Sequence, residues 1–267
     1  MHPLLPSLAA ACLYAGATAY QGLRLGQRSN PARTLLTLLG VLALAAHVYT
    51  LINQLFSPAG LTLDFFRAAS LIAAAVIALI LIASQRMPVQ NLLLLLFPLG
   101  FLTVLLAAFA PSGTAATINE NYGILSHILL SILAYGLLTI AMFQSLLLLL
   151  QDRQLKQKRL SSLAVRSFPP LQTMETLLIG FIWAGWVLLS LSLLSGWIFL
   201  EDLFAQHLVH KTLLSLVAWV VFGILLWGRH RLGWRGHTAV RWTLAGFLLL
   251  MLAYFGSKLV REFILHV

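Results

Sequence analysis

Charged residues are scarce in this sequence, and their scarcity excludes an ordinary soluble fold. Only 9% of the 267 residues are charged and 60% are hydrophobic, with a mean hydropathy of +0.93. In a soluble domain, roughly a quarter of the residues carry a charge. The composition therefore predicts an all-α, polytopic membrane helix bundle.

The motifs of several enzyme classes are also missing. The single cysteine, Cys12, excludes an intrachain disulfide and a CxxC redox pair. The chain has no phosphate-cradling glycine loop, no HExxH and no Gly-x-Ser-x-Gly sequence. Its seven acidic residues are spread along the chain from Asp64 onward, and only Glu201 and Asp202 are neighbours in sequence. From the residues alone we assign no enzymatic activity.

Apolar runs long enough to cross a hydrocarbon core of ~30 Å occur eight times. The connections between them are too short for a second globular domain, so we expect one transmembrane domain over 1–267. The first run lacks a basic n-region and is interpreted as a retained helix. The eight predicted spans lie at about 3–22, 35–55, 65–84, 91–110, 124–150, 176–198, 207–228 and 243–260.

The basic residues predict the orientation of these spans. Thirteen of the 17 lysines and arginines follow the odd-numbered spans. Such connections are cytoplasmic by the positive-inside rule, so both termini are predicted to be outside. Because the net charge of +10 comes from short loops, we expect no nucleic-acid partner. The thirteen are Arg24, Arg28, Arg33, Arg86, Arg153, Lys156, Lys158, Arg159, Arg166, Arg229, Arg231, Arg235 and Arg241.

The longest connection, 151–173, is predicted to extend the fifth helix and then turn at Pro169 and Pro170. Thr173 is a candidate N-cap for the sixth span. Glu175 would lie in the first turn of that helix, where the helix dipole favours a carboxylate. We therefore predict a structural role for Glu175.

Four of the eight histidines are predicted to gather in the outer half of the bundle. His47 lies about eight residues from the outer end of the second span, or ~12 Å inward. His127 lies about one turn into the fifth span, and His207 and His210 begin the seventh. Ionisable groups within spans are costly and raise a functional question.

Histidines in such positions could bind haem iron or another transition metal. Two axial haem ligands approach from opposite faces of the porphyrin, and His207 and His210 share one helix face. His47 with His127, or His127 with His210, could form an axial pair. The structural alternative is that His47 and His127 bond to neighbouring helices, while His210 and Lys211 reach the outer headgroups.

Three tryptophans follow roughly one stripe of the sixth span. Trp183, Trp186 and Trp197 are three and eleven residues apart. Such a stripe could flank a porphyrin, although ordinary packing between helices has the same sequence pattern.

Five segments in this order resemble the cytochrome c assembly protein family, the CcsA-like integral membrane proteins. Within the family they resemble the short inner-membrane YpjD branch, which is related to HemX. The resemblance covers nearly the whole chain. The segments are AAHVYTLINQLFSPAGLTLDFFRAASL at 45–71, SHILLSILAYGLLTIAMFQSLLLLLQDRQLK at 126–156, FPPLQTMETLLIGFIWAGWVLLSLSLLSGWIF at 168–199, HKTLLSLVAWVVFGILLWGRHRLGWRG at 210–236 and GFLLLMLAYFGSKLV at 246–260.

The resemblance implies haem as cofactor, moved to the outer face and held by axial histidines. By position, His47 resembles the early intramembrane histidine and His127 the outer histidine of the family. His210 and Lys211 fall at the end of its tryptophan-rich, porphyrin-cradling run. The resemblance thus implies His47 and His127 as iron ligands, with His210 and Lys211 as further cofactor-binding residues.

This chain departs from the family pattern between Gly196 and Lys211. The segment reads GWIFLEDLFAQHLVHK, with one tryptophan and no Trp-Asp pair. The family's next histidine is matched by Trp227. The haem-presenting platform is therefore incomplete, and the resemblance implies an accessory role rather than holocytochrome synthase activity.

The interpretation is a haem-binding or haem-handling accessory protein of the bacterial inner membrane. Its expected partners are haem or another tetrapyrrole, membrane lipid and another membrane or cytochrome-assembly protein. One alternative is a HemX-like regulatory or scaffold protein without haem, acting through its basic cytoplasmic loops. Another is a small-solute or metal-ion transporter whose outer histidines form an entry site.

Overall fold

Eight α-helices form within the residues that the computed structural model describes, which are 4–27, 29, 31–57, 60–61, 63–110, 122–158, 167–199 and 209–256. The prediction of an all-α helix bundle is confirmed. The helices are α1 (Leu4–Gly26), α2 (Arg33–Leu55), α3 (Phe65–Ala83), α4 (Leu93–Phe109), α5 (Tyr122–Lys156), α6 (Leu171–Phe199), α7 (Val209–Arg231) and α8 (Gly236–Met251). A π-helical turn, Leu252–Gly256, continues α8, and a 3₁₀ turn, Gln90–Leu92, precedes α4.

Seven helices in the described ranges are long and apolar enough to cross a membrane: α2, α3, α4 with its 3₁₀ turn, α5, α6, α7, and α8 with its π-helical turn. The remaining helix, α1, is 23 residues long and is not among these seven. The eight predicted runs therefore correspond to the eight helices, of which seven meet this test.

Of the predictions about where helices begin and end, one is confirmed and another is wrong. The fifth helix extends to Lys156, as the sequence of the long connection predicted. The sixth helix begins at Leu171, directly after Pro169 and Pro170, so Thr173 lies inside the first turn and is not the N-cap. For the same reason Glu175 lies beyond the first turn, in which it was predicted to lie. Proline is compatible with the start of a helix, and this pair allowed an earlier start than the apolar run indicated.

The chain forms two compact units. In unit 1, which includes residues 1–119 and 158–168, the helices pack as a ring in which α1 contacts α2 and α4, and α3 contacts the same two. A short antiparallel pairing of β1 (Phe56–Ser57) with β2 (Gly60–Leu61) follows α2. The Asp64 carboxylate then caps α3 by accepting from the Arg67 N–H at 2.9 Å.

Unit 2 includes residues 120–157 and 169–267 and has the same order of neighbours. Helix α5 contacts α6 and α8, and α7 contacts the same two. Its core contains the fully buried side chains of Leu138, Ile140, Met174 and Phe222. The prediction of a single transmembrane domain over 1–267 stays a prediction.

Candidate functional site

His47 is buried in unit 1, between two hydrogen-bond partners on other helices. Its side chain is 0% exposed. The Nδ1 atom lies 3.2 Å from the hydroxyl of Tyr14 on α1, and Nε2 lies 2.7 Å from Oγ of Ser70 on α3. A neutral imidazole donates one hydrogen bond and accepts one, and hydroxyl groups can do either. Both ring nitrogens of His47 are therefore in use.

Close packing surrounds this histidine. The Tyr14 ring meets the His47 ring edge-on at 5.8 Å and lies 5.8 Å from the Phe97 ring. Gly100 allows this approach, because a Cβ atom there would lie 2.6 Å from Ile77 Cδ1 and 3.0 Å from the Tyr14 ring. Helices in membranes pack closely where such small residues face each other.

His127 has a different environment, near the start of α5 in unit 2. Its side chain is half-buried. The Nδ1 atom lies 2.8 Å from the backbone carbonyl oxygen of Ser192 on α6 and 3.2 Å from Oγ of Ser195. A carbonyl oxygen can only accept, so Nδ1 carries the proton and Nε2 has the lone pair. Among the described residues, Nε2 has no hydrogen-bond partner.

Serine side chains line the contact between α5 and α6 around His127. The Ser131 hydroxyl donates to the His127 carbonyl oxygen at 2.7 Å and lies 2.7 Å from Oγ of Ser192. The Ser195 hydroxyl donates to the Ser192 carbonyl oxygen at 2.8 Å. Small polar residues of this kind hold neighbouring membrane helices together. We call Ser131, Ser192 and Ser195 the serine seam.

The other two predicted cofactor-binding residues lie at the start of α7. His210 is exposed and Lys211 is half-buried. His207 falls outside the described residues. Because Gly123 contacts Phe199, the start of α5 lies beside the end of α6. Helix α7 is antiparallel to α6, so His127, His210 and Lys211 belong to the same end of unit 2.

The predicted tryptophan stripe is mainly a structural contact. Trp186 stacks on Trp219 of α7 with centroids 5.3 Å apart and meets Trp183 edge-on at 5.8 Å. The Trp186 indole N–H donates to the Trp219 carbonyl oxygen at 3.0 Å, and the Trp219 indole N–H donates to Ser190 Oγ at 2.7 Å. Trp197 is 75% exposed. The Trp186 and Trp219 indoles therefore fasten α6 to α7.

At the other end of unit 2, Glu175 holds the turn between α7 and α8. Its Oε1 accepts the Gly236 N–H at 2.9 Å, and its Oε2 lies 3.9 Å from Arg229 Nη1 and from Arg235 Nε. Gly236 has a φ of +53°, a left-handed conformation that favours glycine. The predicted structural role of Glu175 agrees with these contacts, although its partners are remote in sequence.

Haem fits the two histidines unequally. A histidine that binds a metal usually donates its other ring N–H to a carbonyl or carboxylate oxygen, and His127 has this arrangement. His47 has both nitrogens bonded and is closely surrounded. Within the described ranges, no group of three or more His, Cys, Asp or Glu side chains could hold a metal ion. His47 belongs to unit 1 and His127 to unit 2.

Several residues of these sites are not evident from the sequence. Tyr14 and Ser70 are 33 and 23 residues from His47, and Ser192 is 65 residues from His127. The available signal was the presence of small or polar residues in otherwise apolar runs, such as Ser192, Ser195 and Gly196 in α6.

Comparison with known proteins gives several relatives. Inner membrane protein YpjD of Escherichia coli (strain K12) is 32% identical over 240 residues, covering 89% of this chain and 90% of that protein. Protein HemX of Brevibacillus brevis is 27% identical over 163 residues, covering 59% of this chain and 60% of HemX. An uncharacterized 28.8 kDa protein of Azospirillum brasilense is 39% identical over 141 residues, covering 52% of each chain. No solved structure gives a significant match.

The family description "Cytochrome C assembly protein" matches residues 35–265, which is most of the chain. The YpjD relative is named as an inner-membrane protein, and seven described helices can span a membrane. The chain is therefore a multi-pass membrane protein. The predicted location in the inner membrane is confirmed. It belongs to the cytochrome c assembly protein family.

Proposed function

We propose that this protein handles haem or a related tetrapyrrole as an accessory to cytochrome c assembly. The contact that supports the proposal is the bond from His127 Nδ1–H to the Ser192 carbonyl oxygen, 2.8 Å long. It orients the ring and leaves Nε2 as an electron-pair donor. Family membership makes an iron porphyrin the group that this donor would bind.

The residues of unit 2 have distinct parts in this proposal. His127 Nε2 is the proposed iron ligand, and the serine seam keeps its ring oriented. His210, on a different helix at the same end of the unit, is the proposed source of a second axial ligand. Lys211 would pair with a propionate carboxylate. When bound, haem supplies redox and ligand-binding chemistry at its iron.

The proposal is tested by the absorption spectrum of the protein purified in detergent after expression with excess haem. The oxidised and reduced wild type should show a Soret band in stoichiometric amount. His127→Ala should lose it. His230→Ala is the matched control, because His230 is an exposed histidine at the far end of α7, and its spectrum should equal that of the wild type. A colourless wild type would contradict haem binding.

A second candidate function is a haem-free scaffold. The observation that favours it is the presence of four exposed arginines in unit 2, Arg153, Arg231, Arg235 and Arg241, in connections that are predicted to be cytoplasmic. Similarity to Protein HemX is compatible with it. A colourless protein that co-purifies with a partner, and loses it when Arg231 and Arg241 are changed to Gln, would favour this function.

A further inference from the structure

We infer that His47 joins three helices of unit 1 and does not bind iron, so that any tetrapyrrole is held by unit 2 alone. The second part of this inference rests on the proposed function. The inference differs from the family resemblance, which implies that His47 is an iron ligand. The observation that supports the inference is the chain of hydrogen bonds from Tyr14 through His47 to Ser70.

The first step concerns the electron pairs of the imidazole. Iron binds a ring nitrogen through its lone pair, and a neutral imidazole has one such nitrogen. At His47 the two nitrogens lie 3.2 Å from the Tyr14 hydroxyl and 2.7 Å from the Ser70 hydroxyl. Whichever nitrogen has the lone pair accepts a hydrogen bond from a hydroxyl group, so a metal would have to displace a buried hydrogen bond.

The second step concerns space. Tyr14, His47 and Ser70 are each at most 1% exposed. A Cβ atom on Gly40 of α2 would lie 2.9 Å from both Leu81 and Phe97. One added carbon atom is already too large for the contacts around α2, whereas a porphyrin contains more than twenty. Cores packed at this density do not open for a large ring without rearrangement.

The third step concerns what the contacts do instead. Tyr14 is on α1, His47 on α2 and Ser70 on α3, so the three side chains connect three helices with two hydrogen bonds. In an apolar surrounding, each member would be costly to bury without its partner. The hydrogen-bonded chain therefore fixes how α1, α2 and α3 pack.

His127 shows the opposite pattern in the same protein. Its Nδ1–H is directed to a backbone carbonyl oxygen, its ring is half-buried, and its Nε2 has no partner within the described ranges. The family resemblance pairs these two histidines as ligands. Of the two, only His127 has a ring nitrogen whose lone pair is not already used by a hydrogen bond within the described ranges.

The experiment compares haem content and thermal stability in four variants. His47→Gln removes the imidazole but keeps an amide group that can bond Ser70. Ser70→Ala removes one partner. Thr50→Val is the matched control, since Thr50 is buried on α2, like His47, and among the described residues its hydroxyl donates only to the Ala46 carbonyl oxygen of that helix, at 3.0 Å. His127→Ala removes the proposed ligand. Haem is measured by the Soret absorbance per mole of folded protein.

We expect His47→Gln and Ser70→Ala to keep the wild-type Soret position and haem content, while their melting temperatures fall by roughly 2–4 °C. Thr50→Val should change neither property, and His127→Ala should lose the haem. Folded His47→Gln that loses haem, or whose spectrum changes to that of a different iron coordination, would overturn the inference.

A haem-free wild type would refute the proposed function but would still leave the role of His47 open to measurement. In that case the melting temperatures show whether His47 joins the three helices. Ser70→Ala and a fifth variant, Tyr14→Phe, which removes the other hydroxyl partner of His47, must each lower the melting temperature relative to Thr50→Val. Equal stability of all three would overturn the assignment of His47 as the residue that joins these helices.

Discussion

At the scale of single residues, two carboxylates of unit 2 differ in the kind of group that they bind. Glu175 has a side chain 19% exposed and accepts a backbone N–H at the turn between α7 and α8. Asp152 lies 2.7 Å from Lys156 and 2.9 Å from His237, whose side chains are 63% and 46% exposed. Exposed ion pairs contribute little, whereas a partly buried backbone N–H left without its acceptor is costly.

We predict that Glu175→Ala lowers the free energy of unfolding by about 1–3 kcal/mol, because the Gly236 N–H and Arg229 lose their acceptor. Asp152→Ala should cost at most about 1 kcal/mol. Thermal denaturation in detergent measures both variants. Equal losses, or a greater loss for Asp152→Ala, would show that the turn does not depend on Glu175.

The same residues show what sequence patterns can and cannot predict. The argument from the helix dipole predicted a structural Glu175, and the contacts of Glu175 agree with that role. Its premise was wrong, because α6 begins at Leu171 and has no acidic residue in its first turn. It could not identify Gly236 as the partner, 61 residues away. The ring orientation of His127 was equally hidden, since it depends on the Ser192 carbonyl oxygen across a helix contact. The sequence can thus identify candidate histidines, but it cannot show which of their ring nitrogens is available to bind a metal.

At the scale of helices, α5 and α6 contact each other closely at small side chains. A Cβ atom on Gly185 of α6 would lie 2.8 Å from Leu138 Cγ and Cδ2 of α5. Further along the pair, Ser131 and Ser192 bond across the same contact. Together they place His127 against α6, so the geometry of the proposed ligand depends on this packing.

Gly185→Ala is predicted to lower the free energy of unfolding by about 1–3 kcal/mol, because the added methyl group overpacks the contact with Leu138. Gly180→Ala on the same helix is the matched control. Its Cβ atom would meet nothing within 4 Å, and alanine favours a helix over glycine by up to about 1 kcal/mol. Thermal denaturation of both variants measures the difference in their stability. A destabilised Gly180→Ala would refute the packing explanation.

The existence of these helices follows from the sequence, but some of their ends do not. Eight apolar runs predicted eight helices because hydrocarbon length and backbone hydrogen bonding leave few alternatives. The predicted sixth span began at residue 176, whereas α6 begins at Leu171. Hydropathy detects the part of a helix that lies in lipid, and it does not detect the polar turns that extend beyond it.

At the scale of the whole molecule, each unit is a ring of four helices with the same order of neighbours. Helix α1 is not among the seven sufficiently apolar helices, yet its 23 residues reach ~34 Å at 1.5 Å per residue. It also buries Tyr14 and Gln21 in unit 1. We therefore expect α1 to cross the membrane with its partners in that unit.

This expectation and the positions of the basic residues together predict where each loop lies. In a Cys12→Ser background, the His2→Cys variant should react in intact spheroplasts with a maleimide that cannot cross membranes. The Lys158→Cys variant should react only after the membranes are opened, because Lys158 belongs to a basic cytoplasmic connection. Protection of both cysteines would mean that α1 does not cross. Labelling of Lys158→Cys in intact spheroplasts would invert the orientation and would place His127 and His210 at the cytoplasmic end, where an outward haem-handling role would have no physical basis.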